Sequence, residues 1–593
     1  MVSHRLLSDA AEPARAPTID SPAGSRELRL PFRGSTLVEL LDARADERPS
    51  GLAYVFLRDG EVEDARWTWG EVRRRSLAVA ARLRASVADG ERALLLYPAG
   101  LDFIAAFFGC LQAGVIAVPV PPPQGSGDSA AMARLRAVAA DAAPAAVLTT
   151  GTMRARWTAE AGECCRPSAG SGRHAVMPGS LRCPWIATDD AVAAGDAAPW
   201  RPAASDLAFL QYTSGSTASP RGVMVSHANL LHNLASMFAL AGDGSHGPSV
   251  SWLPATHDMG LIEGVLHPLY RGDAAYLMSP AAFLQRPLRW LKAISAYRAV
   301  RSGGPNFAYD LAARRVTAEA RAELDLSGWQ VAYSGAEPIR HETLALFTEA
   351  FAPCGFRTAA FRTAYGLAEA TLVVSAGRWN RPGGGSVSCG RTAAGTSVVI
   401  VDPATGHVCP EGRAGEVWIR GPGVAQGYWR RPDESARVFA AHTADGQGPF
   451  LRSGDLGSLI DGELHVTGRL KDLLIVRGVK HFPQDLEHTA EGAHAAVRRG
   501  CVAAVAVGTA VGGDVIGILA EIEPRRLDQE LEIAGVLDLI SATVCEAHGV
   551  RPGVVALLPA GVLPKTTSGK LQRFLCREGW LAGAFPVLAR TAA

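Results

Sequence analysis

Residues 210–229, LQYTSGSTASPRGVMVSHAN, place a buried strand, a hydroxyl-rich loop and a capped helix in immediate succession. The loop contains Thr213, Ser214, Gly215, Ser216 and Thr217. Residues 222–225 predict a second strand, and Ser226 is positioned to cap a helix with apolar residues along one face. Hydroxyls and backbone N–H groups in a glycine-containing loop suit a polyphosphate, and Arg221 adds positive charge. A surface turn rich in serine and threonine is the alternative interpretation of the loop alone.

The composition of the whole chain narrows the classes of function. The 593 residues include 59 Lys+Arg against 58 Asp+Glu, and a net charge of +1 argues against a nucleic-acid binder, which needs basic residues to meet phosphates. The 10 cysteines form no CxxC pair and no cluster at zinc spacing. This pattern indicates reduced thiols and predicts a cytoplasmic protein.

We expect neither a signal peptide nor a membrane span. The N-terminal residues lack the apolar core of a signal peptide. The apolar run at residues 103–120 approaches spanning length, but it contains Gln112 and Pro119. A buried helix followed by a buried strand explains this run better.

The hydrophobic pattern changes twice along the chain and predicts an α/β fold in several parts. Residues 1–30 are expected to be a flexible lead. Residues 31–470 are expected to form a large N-terminal domain of doubly wound sheets, with a β-rich subdomain at about 390–470. Residues 471–593 are expected to form a small, mobile α+β domain. The C-terminal elements predicted are helices at 484–490 and 530–548 and strands at 501–507, 515–522 and 554–558.

Several nucleotide and hydrolase motifs are excluded. Gly569-Lys570 is not part of a Walker A loop, because Pro564 replaces the first glycine and Leu571 replaces the Ser/Thr. The GxGxxG at residues 242–247 follows the predicted helix instead of a strand, so it is interpreted as a loop. The sequence contains no GxSxG or HExxH.

Five further motifs follow the hydroxyl-rich loop in a fixed order. They lie at residues 333–338, 364–370, 452–456, 468–472 and 564–570. Each is weak alone, but the combination resembles the adenylate-forming superfamily of acyl-CoA ligases, luciferases and non-ribosomal adenylation domains. Within that superfamily the chain most resembles the fatty acyl-AMP ligases. The stretches that carry this closer resemblance are residues 210–212, 252–261 (WLPATHDMGL), 335–340, 365–372 and 477–487.

The resemblance implies that ATP and Mg²⁺ are the cofactors and assigns residues to them. Residues 213–217 would hold the β- and γ-phosphates, with Arg221 where relatives usually carry Lys, and Glu369 would bind Mg²⁺. The residues implied to bind ATP or AMP are Thr213, Ser214, Gly215, Ser216, Thr217, Arg221, Gly335, Ala336, Glu337, Tyr365, Gly366, Asp455, Arg469 and Lys570.

The remaining roles also come from the resemblance. Tyr365 would stack on adenine opposite residues 335–337, and Asp455 would accept hydrogen bonds from both ribose hydroxyls. Arg469, near the α-phosphate, and Lys570 are the expected catalytic cations, and Lys471 is the expected hinge. Lys565 is expected to be structural. The acyl pocket is expected near Trp252, His257, Asp258, Met259 and Gly304.

Three departures from the family pattern bear on the activity. Ala218 stands where relatives usually have Gly, and Ala368 stands where many have Thr. The stretch at residues 371–389 is short, whereas relatives carry a longer insertion that is thought to disfavour CoA as acceptor. No basic cluster that could hold the CoA nucleotide is visible beside the motifs.

The expected function is ATP-dependent activation of a fatty acid to acyl-AMP, followed by transfer to the phosphopantetheine thiol of an acyl carrier protein. The alternative is a fatty acyl-CoA ligase, which shares the first half-reaction and differs in the acceptor. A catalytically silent nucleotide-binding module is a third interpretation, disfavoured because Glu369, Asp455, Arg469 and Lys570 are all present.

Overall fold

A computed structural model provides the fold and describes most of the chain. The described residues are 32–123, 129–164, 183–190, 200–213, 220–241, 246–380, 386–510, 513–523, 530–566 and 569–591. The predicted lead at residues 1–30 lies outside the described residues, as do Ser214, Gly215, Ser216, Thr217 and Ala218.

The largest sheet has nine strands and forms one wall of the site described below. Its central strands are parallel, and antiparallel strands complete both edges. In spatial order the strands are Arg391–Thr392, Val373–Arg378, Phe361–Gly366, Val331–Ser334, Arg301–Gly304, Ser249–Ser251, Ala275–Met278, Leu52–Arg58 and Val62–Thr68.

A second sheet has six strands and is parallel except for its last hairpin. In spatial order its strands are Trp185–Ala187, Ala146–Thr149, Arg92–Leu95, Ile116–Pro119, Leu207–Thr213 and Arg221–Ser226. The last two strands end at Thr213 and begin at Arg221, so they flank the hydroxyl-rich loop in the sequence. Parallel sheets need helical crossovers on their faces, which explains why buried strands and helices alternate in the sequence.

The largest hydrophobic cluster joins both sheets through the helices between them. The helix Asp102–Gln112 is almost entirely buried and the strand Ile116–Pro119 follows it, which confirms the prediction for the apolar run at residues 103–120. The described part of the chain contains no helix of sufficient length and apolarity to cross a membrane.

The helices have recognisable start signals. The predicted cap at Ser226 is confirmed, since its hydroxyl accepts a hydrogen bond from the Asn229 backbone N–H at 3.2 Å. The α-helices are Leu37–Glu47, Trp69–Arg84, Asp102–Gln112, Ser129–Ala142, Gly151–Cys164, His227–Leu240, His267–Arg271, Pro280–Gln285, Leu288–Ala296, Asn306–Arg315, Ala318–Arg321, His341–Phe351, Pro432–Phe439, Pro483–Ala493, Glu530–His548 and Arg573–Leu581. A π-helix spans Met259–Leu266, and 3₁₀ turns span Ala352–Cys354, Thr358–Ala360, Ala368–Ala370 and Leu470–Asp472.

A four-stranded antiparallel sheet follows the two large sheets in the chain. Its strands, in spatial order, are Ser397–Val401, Gly415–Arg420, Leu451–Ile460 and Glu463–Arg469. This sheet falls within the predicted β-rich stretch.

The C-terminal part has its own six-stranded sheet and its own hydrophobic cluster. The strands are Leu474–Val476, Val479–His481, Val497–Ala510, Gly513–Ile522, Val554–Leu558 and Ala589–Arg590. The predicted C-terminal helices and strands are confirmed, with the helix at residues 530–548 matching at both ends. The predicted α/β fold class is also confirmed.

Candidate active site

One large cavity of 2310 Å³ lies where the nine-stranded sheet, the four-stranded sheet and the C-terminal part meet. Nearly all the described residues that the sequence assigned to ATP or the acyl group line it. The nine-stranded sheet contributes the carboxyl ends of its parallel strands, which is where open α/β sheets generally bind ligands.

The described residues that the sequence assigned to the β- and γ-phosphates are Thr213 and Arg221. Thr213 and Arg221 pair across the hairpin, and both line the cavity. The Thr213 hydroxyl is buried without a hydrogen-bond partner among the described residues. Arg221 donates to Glu434 through Nη1 at 2.8 Å, and its guanidinium lies 5.0 Å from the Tyr428 ring centre. Arg221 is therefore held in place by two neighbours that the sequence did not reveal.

Glu369 lies on the 3₁₀ turn Ala368–Ala370 and faces the same cavity. Its Oε1 accepts a hydrogen bond from the Tyr428 hydroxyl at 2.8 Å, which orients the carboxylate. The described residues include no group of three or more His, Cys, Asp or Glu side chains that could hold a metal ion. A lone carboxylate fits Mg²⁺, which takes one or two carboxylates together with substrate phosphate oxygens.

The predicted adenine site, formed by Tyr365 and residues 335–337 and called the base slot below, lies at the carboxyl ends of two adjacent parallel strands. Residues 335–337 follow the strand Val331–Ser334, and Tyr365 and Gly366 end the neighbouring strand. A Cβ on Gly366 would lie 1.7 Å from the Leu372 carbonyl oxygen, and one on Gly335 would lie 2.9 Å from the Ala364 carbonyl oxygen. Only glycine fits these positions without moving the backbone.

Asp455 and Arg469 form a pair beside the base slot. Asp455 is buried, and its two oxygens accept hydrogen bonds from the Tyr365 hydroxyl at 2.7 Å and from Arg469 Nε at 3.1 Å. Each carboxylate oxygen has a second lone pair, so Asp455 retains the capacity to accept from two ribose hydroxyls. Asp455 raises the pKa of Arg469, and burial together with Asp455 raises the pKa of Tyr365. Only Nε of the Arg469 guanidinium is used in this hydrogen bond, and Arg469 lines the cavity.

Lys570 reaches this cavity from the C-terminal part. Its turn is closed by two hydrogen bonds with Thr566, from the Thr566 N–H to the Lys570 carbonyl at 2.7 Å and from the Lys570 N–H to the Thr566 hydroxyl at 3.1 Å. Gly569 has a φ of +85° and packs against the Phe307 ring. Burial lowers the pKa of Lys570, and the nearby charges of Asp258 and Glu337 partly oppose that shift.

Lys565 occupies the same loop and also lines the cavity, but it has a different contact. Its Nζ lies 3.1 Å from Cys501 Sγ, and the residue is exposed. The two lysines of the loop thus differ in their contacts, and the charges of Asp258, Arg469 and Asp455 act on Lys570.

The carboxylates near Lys570 are held by local hydrogen bonds. Asp258 Oδ1 lies 2.5 Å from His257 Nδ1 and accepts from the Met259 backbone N–H at 2.6 Å. Burial raises the pKa of Asp258, but His257 and Lys570 lower it more, so the net shift is downward. Glu337 accepts from the Phe307 N–H at 2.6 Å, and burial raises its pKa.

Two residues predicted for the acyl pocket lie behind the cavity wall. Trp252 is 1% exposed and stacks on Phe283 with ring centres 4.0 Å apart, whereas His257, Asp258 and Met259 line the cavity. A Cβ on Gly304 would lie 2.7 Å from Trp252 Cζ2, so this glycine makes room for the indole. Trp252 and Gly304 therefore shape the pocket indirectly, through core packing.

Comparison with known proteins identifies the family. A family model described as "AMP-binding enzyme" matches residues 41–429, and one described as "Disco-interacting protein 2-like, AMP domain" matches residues 471–590. The chain belongs to the AMP-binding enzyme family. A relative named "Medium-chain-fatty-acid--[acyl-carrier-protein] ligase JamA", from Moorena producens, is 41% identical, with 93% of this chain and 95% of the relative covered.

Two other similar proteins are an adenylyltransferase and a solved fatty acid AMP ligase. A "4-hydroxyphenylalkanoate adenylyltransferase" of Mycobacterium marinum is 38% identical over 95% of this chain and 94% of its own length. The crystal structure of a fatty acid AMP ligase from Legionella pneumophila is 36% identical, covers 94% of this chain and 98% of its own, and has a TM-score of 0.69. The predicted membership of the fatty acyl-AMP ligases is confirmed. As an adenylate-forming enzyme, the protein uses ATP.

In this fatty acyl-AMP ligase, the junction of the two parts contains contacts that the sequence did not predict. Lys471 is exposed on the 3₁₀ turn Leu470–Asp472. Arg573 donates to Asp472 at 3.2 Å and to both Glu487 oxygens at 2.7 Å, and Arg340 of the N-terminal part donates to the Gln484 carbonyl at 2.9 Å. No local motif marks these contacts.

Four arginines that the sequence does not place beside the motifs line the same cavity. These residues are Arg314, Arg315, Arg498 and Arg499. They come from the helix Asn306–Arg315 and from the start of the strand Val497–Ala510, so only folding brings them to one cavity.

Proposed function

We propose that this enzyme activates a fatty acid with ATP, releasing pyrophosphate, and then passes the acyl group to the phosphopantetheine thiol of an acyl carrier protein. The observation that carries the proposal is the position of Lys570. A lysine from the C-terminal part lies in one cavity with Asp455, Arg469 and the base slot, as adenylation requires.

The first half-reaction follows from the groups around the cavity. The substrate carboxylate attacks the α-phosphorus of ATP, the bond to the pyrophosphate oxygen breaks, and acyl-AMP forms. Tyr365 and residues 335–337 would hold adenine, and Asp455 would hold the ribose. Lys570 and Arg469 would stabilise the negative charge that gathers on the phosphoryl oxygens in the transition state. No proton has to be moved, so positioning and charge account for the catalysis.

The phosphates of ATP would lie against the hairpin tip. Thr213, Arg221 and the rest of the loop at residues 213–217 would hold the β- and γ-phosphates. Glu369 would hold Mg²⁺, which when bound neutralises charge on the phosphates and helps pyrophosphate to leave. The Tyr428 hydroxyl keeps Glu369 in one orientation for this purpose.

The second half-reaction needs the cavity to admit a thiol. We infer a division into an N-terminal AMP-binding domain of residues 31–470 and a C-terminal domain of residues 471–593, with Lys471 as hinge. Lys471 is exposed, and the ion pairs of Arg573 with Asp472 and Glu487 lie within the C-terminal domain. Rotation at Lys471 would preserve those ion pairs while withdrawing Lys570 and opening the cavity.

Transfer to a carrier protein is supported by the name of the JamA relative, and CoA is the second candidate acceptor. Two observations favour CoA. Basic residues suit its phosphates, and Arg315 and Arg499 line the cavity, whereas Arg314 and Arg498 are ion-paired with Asp310 and Glu521. The short stretch at residues 371–389 is the second observation. The described cysteines are all free thiols, which supports a cytoplasmic location.

The acceptor is tested with radiolabelled fatty acid, ATP and Mg²⁺, supplied with either CoA or holo carrier protein. We expect acyl-AMP without an acceptor and faster labelling of the carrier protein than of CoA. Rapid accumulation of acyl-CoA would replace the carrier-protein assignment with the CoA ligase. A lack of acyl-AMP and pyrophosphate under all conditions would overturn the proposed adenylation.

A further inference from the structure

The cavity extends away from the base slot along one face of the nine-stranded sheet. Strand residues two apart point to the same face, and cavity-lining residues follow this pattern on adjacent strands. Val331 and Tyr333 lie on the strand Val331–Ser334, and Arg362 and Ala364 lie on its neighbour Phe361–Gly366. Arg301 lies opposite Val331 on the strand Arg301–Gly304. From Gly335 to Val331 this extension, which we call the deep arm, runs about 13 Å along the sheet.

The wall opposite the sheet is partly apolar. It includes Met237, Leu240 and Ala241 from the end of the helix His227–Leu240, and Met259 from the π-helix. A methylene chain attached to a carboxylate near Lys570 fits between this wall and the sheet. The deep arm is thus suited to the acyl chain.

The far end of the deep arm contains a buried ion pair. Glu263 Oε1 lies 2.5 Å from Arg301 Nε, and Oε2 lies 3.2 Å from Nη2. The side chains of Glu263 and Arg301 are only 4% and 8% exposed, and both residues line the cavity. The Arg301 guanidinium also lies 5.6 Å from the Tyr333 ring centre. A tunnel built for a plain alkyl end would not place charges there, because desolvating them against methylene groups is costly.

One nitrogen of the Arg301 guanidinium takes no part in the ion pair. Arg301 Nη1 is buried and has no hydrogen-bond partner among the described residues. An unmet donor on a buried charged group costs free energy, and a ligand acceptor at this point would recover it. An acid that ends in a methyl group would leave Arg301 Nη1 without a hydrogen-bond acceptor.

We propose that the acid activated by this enzyme carries a hydroxyl group at its far end, and that Arg301 Nη1 donates a hydrogen bond to that hydroxyl oxygen. The inference rests on the proposed function. A neutral hydroxyl suits the site better than a second carboxylate, because Glu263 beside it would repel another negative charge.

The first test compares saturated acids with ω-hydroxy acids of the same chain length in pyrophosphate exchange with the wild-type enzyme. We expect kcat/KM for the best ω-hydroxy acid to exceed that of its plain counterpart by about tenfold or more, because the plain acid leaves a buried donor unpaired. Equal or higher values for the plain acids would overturn the inference and leave the proposed function standing. If neither the saturated acids nor the ω-hydroxy acids support pyrophosphate exchange, the proposed function is overturned instead.

The second test replaces the pair by apolar side chains of similar size, Glu263→Leu with Arg301→Met. Such replacements of a buried ion pair are often neutral or stabilising. We expect the ratio of kcat/KM between the two acids to fall towards one. The matched control is Asp402→Leu with Arg413→Met. It removes an ion pair whose nitrogen and oxygen lie 3.1 Å apart and whose residues do not line the cavity. We expect this control to keep the preference for the ω-hydroxy acid. A preference that survives in the first variant would overturn the role of Arg301, and if that variant does not fold, the wild-type comparison still decides.

Discussion

Replacing Lys570 by Ala removes the cation that the C-terminal part of the chain places in the cavity. The backbone of its turn should persist, because both hydrogen bonds with Thr566 use backbone atoms of residue 570. The loss of charge should also raise the pKa of Asp258 and of Glu337, since Lys570 lowers both. The variant is therefore expected to fold normally and to bind ATP with nearly unchanged affinity.

The expected loss is in the rate of acyl-AMP formation. Removing one preorganised group that stabilises transition-state charge costs about 10²–10³ in kcat, or roughly 2.7–4 kcal/mol. We place Lys570 at the upper part of this range, because its surroundings are desolvated enough to lower its own pKa and water screens its charge poorly.

The assay is pyrophosphate release by the purified variant with saturating ATP and fatty acid. Lys565→Ala is the matched control, because it removes the same charge from the same loop at a side chain that contacts Cys501. We expect that control to keep most of the activity. A near-wild-type rate for Lys570→Ala, or an equal loss for Lys565→Ala, would refute the assigned role.

Three further outcomes are expected. Asp455→Ala should weaken ATP binding more than fatty-acid binding in calorimetric titration, because charge-assisted hydrogen bonds to the ribose are lost; unchanged ATP affinity would remove the ribose role. Because burial lowers the pKa of Lys570, kcat/KM for ATP should begin to fall with rising pH below 10.5, the ordinary lysine value. A profile that stays flat up to that pH would contradict the burial effect. Gly304→Ala should lower the free energy of unfolding by about 1–3 kcal/mol in denaturant titration, because the added Cβ meets the Trp252 ring; unchanged stability would show that the indole can move.

Local patterns in the sequence determined most of the secondary structure. The capped helix after Ser226, the buried helix and strand at residues 103–120 and the C-terminal helix at residues 530–548 were all predictable. Each depends on neighbours within a few residues, through capping or the periodicity of apolar side chains. The motifs around Tyr365, Asp455 and Lys570 were recognisable for the same reason, since each is a short run of fixed composition.

Only the tertiary structure decided which side chains face the ligand and which partners hold them. The sequence placed Trp252 in the acyl pocket, but its indole packs in the aromatic core because Gly304 leaves space for it. The orientation of Glu369 by Tyr428 and the pairing of Glu263 with Arg301 join residues far apart in the chain. Such contacts cannot be predicted from the periodicity of a single sequence. They depend on how whole strands and helices pack and not on the order of neighbouring residues.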